Sequence, residues 1–242
     1  MSISTSPTGM PPATGMQVRP EESSALRKVI WFSILQLAGA VAGFAVGFYV
    51  FVSIFSSLSS LSLQPNATPA QVGAALGPLF QGISAIIFVT AVIQLASVGV
   101  LTLAFRELGK VDRDKFSIPS TLTIVQMVSI VLLSAAGISL VSSIPNIIAQ
   151  APTTSGGLPP AFAALLGSLF VDFALLAVGV VVLLVGVIGG QILGLWRVGS
   201  RYNETVIKVG AIFTIIPLLN IVAPILVLIG AYQVKGRLPA AR

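Results

Sequence analysis

Apolar residues run almost unbroken through three stretches of this chain, Val29 to Phe105, Phe116 to Trp196 and Val209 to Val234, and charged residues mark where each stretch stops. A bilayer core of about 30 Å takes roughly 20 helical residues, so each of the first two stretches has room for two crossings. Helix-breaking prolines set the turns, in Gln64 to Pro69 and in Ala151 to Pro160. The pattern therefore predicts helices over 29–63, 70–105, 122–148 and 160–196. These form two long hairpins, an all-α, multi-pass transmembrane bundle. All four exceed what a membrane needs. Near the outer turns Phe51, Ile54, Phe55, Leu58 and Leu61 recur at helical spacing with serines between them, and Leu76, Leu79, Phe80 and Ile83 repeat the texture. Either the helices continue past the outer face as a small uncharged bundle, or outer-leaflet serines face neighbouring helices.

The third stretch fits this scheme poorly. Its length suits one tilted span, which would carry Lys235, Arg237 and Arg242 to the side opposite the other basic residues. Its centre, Ile216 to Pro224, places Asn220 between Pro217 and Pro224, which breaks a helix at mid-depth. A broken segment at that depth is tolerated where protein surrounds it. A re-entrant hairpin over 209–234, returning the C-terminus to its starting side, is favoured over a kinked fifth span.

Charge turns this layout into a topology. All 13 Lys and Arg fall in four clusters, Arg19 to Lys28, Arg106 to Lys115, Arg197 to Lys208 and Lys235 to Arg242, interleaved with acids. Basic residues concentrate on the cytoplasmic side of a membrane. That predicts a cell-membrane protein with a cytoplasmic N-terminus, and Trp31 and Trp196 at the inner interface. Only 8 % of residues are charged, against about 25 % in a soluble domain. The net +6 is spread over loops, so it predicts no nucleic-acid partner. Residues 1–25, rich in Ser, Thr, Pro and Gly, read as a disordered cytoplasmic tail rather than a signal peptide, and 26–242 as a single transmembrane domain. The chain has no Cys and no His, which removes the thiol nucleophile and the commonest general base and metal ligand. No catalytic, cofactor or metal site is expected, and no enzyme.

The polar residues inside the apolar stretches are few. Gln36, Gln94, Gln126, Gln191 and Asn220 lie at similar depth, counted from the nearest basic cluster. They are expected to form one amide layer, either hydrogen-bonded glue between helices or the lining of a path for a small solute or ion. Gly39, Gly43 and Gly47, and likewise Gly186, Gly190 and Gly194, recur every four residues and put glycine on one helix face for close packing. Asp172 is the single charge outside the clusters, and a solvated carboxylate near the outer interface is favoured over a buried proton or cation site. No second carboxylate accompanies it, so a catalytic acid pair is unsupported. Asn66-Ala67-Thr68 is a candidate glycosylation sequon on the outer turn, weakened by Pro69.

The most distinctive text is Leu195 to Ile212, followed by Ile216-Pro217-Leu218-Leu219-Asn220-Ile221-Val222. Within it Arg197, Gly199, Arg201, Tyr202 and Asn203 form an aromatic and basic block ahead of a Pro- and Asn-containing apolar end. This resembles an archaeal family of integral membrane proteins, the domain of unknown function 973 family. The resemblance implies a membrane location and carries no activity. Read from its residues, the loop is an anchored inner connector or a site for partners and lipid headgroups, with Arg197, Arg201 and Lys208 near the phosphates and Asn203 suited to cap the last segment. Two functions are carried forward. The first is a structural or accessory component of a membrane assembly, partnered by lipids, other membrane subunits or a second copy. The second is a small-solute transporter or pore using the amide layer.

Overall fold

A computed structural model describes residues 19–62, 68–150, 160–216 and 219–238. Three helices come first, α1 (Pro20–Ser62), α2 (Pro69–Val111) and α3 (Arg113–Ala149). A fourth rod begins as α4 (Pro160–Val185), passes through a π-helical segment, Gly186–Ile192, and ends as α5 (Leu193–Arg201). Two short helices close the chain, α6 (Thr205–Phe213) and α7 (Val222–Arg237). Four helical stretches are long and apolar enough to cross a membrane. The protein is an all-α, multi-pass membrane helical bundle.

Local chemistry explains where the helices start. Pro20 occupies the first turn of α1, where its missing N–H costs nothing, and Glu21 and Glu22 answer the positive helix end. The helix therefore begins nine residues before position 29, and 20–25 belong to it rather than to a disordered tail. Thr68 and Gln71 form a reciprocal capping box on α2, with Pro69 behind it. The expected loop between the second and third helices is almost all helix. Asp112 ends α2 and caps α3, accepting from the Lys115 backbone N–H at 3.4 Å, so a single residue makes the turn.

The ends sort cleanly. The start of α1, the α2–α3 turn, the α5–α6 turn and the end of α7 lie together at one end of the bundle, joined by ion pairs between Glu22 and Arg201, Lys28 and Glu107, and Glu204 and Arg237. This is the basic end. The helices α6 and α7 run antiparallel. Glu204 meets Arg237, Gly230 lies against Ile207, and Gly210 lies against Val227. At 9 and 16 residues they rise only about 14 and 24 Å, less than a membrane core. They form a short antiparallel hairpin, as the favoured reading of 209–234 requires, and α7 returns beside α1.

The main core sits in the basic half. Leu26, Val29 and Phe32 of α1, Leu101, Phe105 and Leu108 of α2, Phe116 of α3, Leu195 of α5, Ile207 of α6 and Val227 of α7 are buried together. Toward the far end the cluster shrinks to Ala91, Val98 and Ile130.

Candidate functional site: the amide layer and the basic end

The five amides resolve into two bonded pairs and one outlier. Gln36 of α1 and Gln94 of α2 exchange hydrogen bonds, at 3.0 Å from Gln36 Nε2 and 3.4 Å from Gln94 Nε2. Gln126 of α3 donates from Nε2 to Gln191 Oε1 of the π segment at 3.1 Å. Gln126 Oε1 is buried and without a partner. Asn220, at the tip of the α6–α7 hairpin, bonds to neither pair and is exposed. It borders a small pocket together with Gln36, Gln191 and Thr214, walled by Phe32, Leu195 and Pro224. The layer thus ties α1 to α2 and α3 to the π segment, with the hairpin tip beside both.

The two glycine triplets do different things. A Cβ on Gly186 would lie 2.7 Å from the Gln126 Cα, and one on Gly190 2.7 Å from the Thr123 backbone nitrogen. At both positions only glycine lets the α3 backbone approach. A Cβ on Gly194 would instead strike the Phe105 ring of α2 at 2.2 Å. The π turn between them separates residues that a regular helix would stack on one face. In the first triplet only Gly39 meets a neighbour, Ile93 of α2, while Gly43 and Gly47 have nothing within 4 Å.

At the basic end, the distinctive loop is held by acids. Arg201 reaches Glu22 at 2.6 Å and Asp112 at 3.5 Å, so one guanidinium clamps the start of α1 to the α2–α3 turn. Lys115 pairs with Asp112 at 3.0 Å, and its hydrogen bond is the main cause holding that carboxyl below its ordinary value. Arg197 donates to the Lys115 carbonyl oxygen. Tyr202 is half-buried, and its hydroxyl oxygen is buried beside Glu22 and Arg201 without a geometrically formed hydrogen bond. Burial, reinforced by the Glu22 charge, pushes its phenol up to about 12. Asn203 is not the cap of the last segment. It takes a left-handed φ of 51° that makes the turn, and Glu204 caps α6, accepting from the Val206 N–H at 3.3 Å while pairing with Arg237 at 2.6 Å. A side-chain amide at Asn203 tolerates that backbone better than most residues do. Lys208 lies over the Trp196 ring, 5.8 Å from its centre, and Trp196 is exposed as an interfacial tryptophan would be.

Sequence reasoning passed over Glu22, Glu107, Asp112 and Glu204, which hold this end together. The signal was present: six of the seven acids stand inside the basic clusters. Asp172 departs from expectation. It is 6 % exposed, not solvated, and accepts from Ser139 Oγ of α3 at 3.0 Å. The α3 helix covers it. Asn66 and its sequon lie outside the described residues.

The family model described as Protein of unknown function (DUF973) matches residues 22–242. The chain belongs to this family. The match opens at Glu22, the residue that Arg201 clamps, and takes in every helix from that point. No curated protein and no solved structure matches the chain.

Proposed function

We propose that this DUF973 member is a structural or accessory component of a membrane assembly, with no catalytic role of its own. The observation that carries this reading is how the polar side chains are used. Gln36 with Gln94, and Gln126 with Gln191, are bonded to each other across helices, and Arg201 and Glu204 fasten chain segments distant in sequence. Polar groups used as fasteners support a scaffold. Gly43 and Gly47 support partners within the membrane, since glycine has no advantage on a face that only lipid touches. The partners proposed are lipids and either other membrane subunits or a second copy, with no nucleic acid. Its Lys and Arg support a cytoplasmic placement of the basic end in a cell-membrane protein.

The absence of native cysteine makes the test clean. A Gly43→Cys variant, treated with a short thiol-to-amine or thiol-to-thiol cross-linker in native membranes, is expected to give an adduct of one defined mass, with a Phe116→Cys control giving none. Monomer alone under all conditions would count against the assembly role. The pocket bordered by Gln36, Gln191, Thr214 and Asn220 favours a second reading, transport of a small solute. Solute flux in reconstituted vesicles, lost in a folded Gln126→Leu variant, would select it.

A further inference from the structure

We propose that Asp172 is the anionic ligand of a monovalent-cation site at the seam between α3 and α4. This inference stands apart from the accessory role and rests on the surroundings of one carboxylate. Asp172 is 6 % exposed and accepts a hydrogen bond from Ser139 Oγ at 3.0 Å. From Phe116 to Ala149, α3 contains no titratable residue, and α2 contains none from Pro69 to Phe105. The α4 rod has none but Asp172 itself before Arg197, roughly 36 Å along the helix axis. Among the described residues, no Lys or Arg pairs with the group.

A carboxyl withdrawn from water either keeps its proton or needs its negative charge met. A partner's basic side chain is blocked, because α3 already covers the group. The counter-charge proposed is a small ion. A single carboxylate balances a single positive charge, and the oxygens present, those of Asp172 and the Ser139 hydroxyl, suit a hard cation such as Na⁺ or K⁺. Further hydroxyls lead away from the site. Ser142 stands one turn from Ser139 toward the far end, and its Oγ lies 3.5 Å from Ser84 Oγ of α2. They give a cation polar steps from the far face to the carboxylate, on the side opposite every Lys and Arg of the described residues.

The full chain, purified in detergent, tests this by thermal unfolding in NaCl, KCl and choline chloride at equal ionic strength. Na⁺ or K⁺ is expected to raise Tm saturably above choline. Asp172→Asn should abolish the difference while unfolding in choline no lower than wild type, since it removes an unbalanced charge. Ser139→Ala should raise the half-saturating cation concentration about tenfold. Equal Tm in the three chlorides would overturn the proposal, as would a cation effect that survives in Asp172→Asn or one that only Ca²⁺ produces. Should Asp172→Asn fail to fold, equilibrium binding of radioactive Na⁺ or Rb⁺ to the wild-type chain decides. One ion per chain supports the site, and none overturns it.

Discussion

The two halves of this bundle use the same kinds of residue to different ends. In the basic half, Phe32, Phe105 and Phe116 are at most 1 % exposed, and the rings of Phe105 and Phe116 stack 6.2 Å apart. In the far half, Phe44, Phe48, Phe55 and Phe170 are 64–80 % exposed. Hydropathy does not separate the two groups. What differs is the number of helices in cross-section. The α6–α7 hairpin enters only the basic half, where α7 packs on α1 and α6 packs on α5. Beyond its tip only the four long rods remain, and lipid tails solvate the outward phenylalanines at no cost, since a lipid tail is as apolar as a leucine. Stability is therefore expected to reside at the basic end, leaving the far end free for lipid, partners or the Asp172 site.

Glycine substitutions should break this contrast most sharply. Gly190→Leu drives a side chain into the α3 backbone at Thr123 and Leu122, which no rotamer relieves. The expected outcome is loss of the monodisperse peak in size-exclusion chromatography. Gly47→Leu, with nothing within 4 Å, should elute and melt as wild type unless a partner occupies that face in the membrane. Truncating phenylalanines comes next. Phe105→Ala should cost about 3 kcal/mol through the cavity it leaves, seen as a clear fall in Tm, whereas Phe48→Ala should change Tm little. Equal losses at the two positions would mean that the far half is packed as tightly as the basic half.

Position along the chain was legible in the sequence, and direction around each helix was not. Charge clusters and turn prolines placed the four long rods and identified the segment over 209–234 as the odd one, because those features act on one dimension, distance along the chain. The pairing of Gln36 with Gln94 rather than with Gln191 depends on rotation of each rod about its axis. That rotation is set by contacts such as Gly190 on Thr123. The π segment adds a shift that an i, i+4 count misses, so Gly194 turns toward Phe105 of α2 while Gly186 and Gly190 face α3. The acids were visible only as residues interleaved with the basic clusters. Their role as clamps appears only once Glu22 and Arg201, far apart in sequence, lie 2.6 Å apart. Asp172 was misplaced for a related reason. Its depth near the outer boundary suggested water, and only the position of α3 determines that it is covered.

The clamp itself offers a finer cut at the basic end. Arg201→Met removes the partner of Glu22, whose side chain is 10 % exposed, and one partner of Asp112. Charged hydrogen bonds of this kind contribute about 2 kcal/mol, so Tm should fall by less than in Phe105→Ala. The loss should shrink in high salt, which screens the more exposed Asp112 pair. Acid reports on the same clamp. Because the Asp112 carboxyl is held below 3.8 in the fold, its contribution is complete above that value and disappears as pH falls beneath it. Wild type should therefore lose Tm more steeply than Asp112→Asn on acidification through that range.

The smallest effect expected is at Tyr202, and it has a distinctive sign. Its phenol is buried without a hydrogen-bond partner, so Tyr202→Phe removes an unsatisfied group and should leave Tm at pH 7 unchanged or slightly raised. At alkaline pH the two proteins should diverge. The phenol titrates at about 12 in the fold against 10.0 when free. The folded state therefore holds its proton through the window in which the unfolded chain gives it up, and stability falls as pH rises from 10 toward 12. Lysine titration affects wild type and Tyr202→Phe alike, so the difference between their Tm values isolates this one group. Wild type should lose Tm relative to the variant across that window, and parallel curves would place the Tyr202 hydroxyl in contact with water rather than packed beside Glu22.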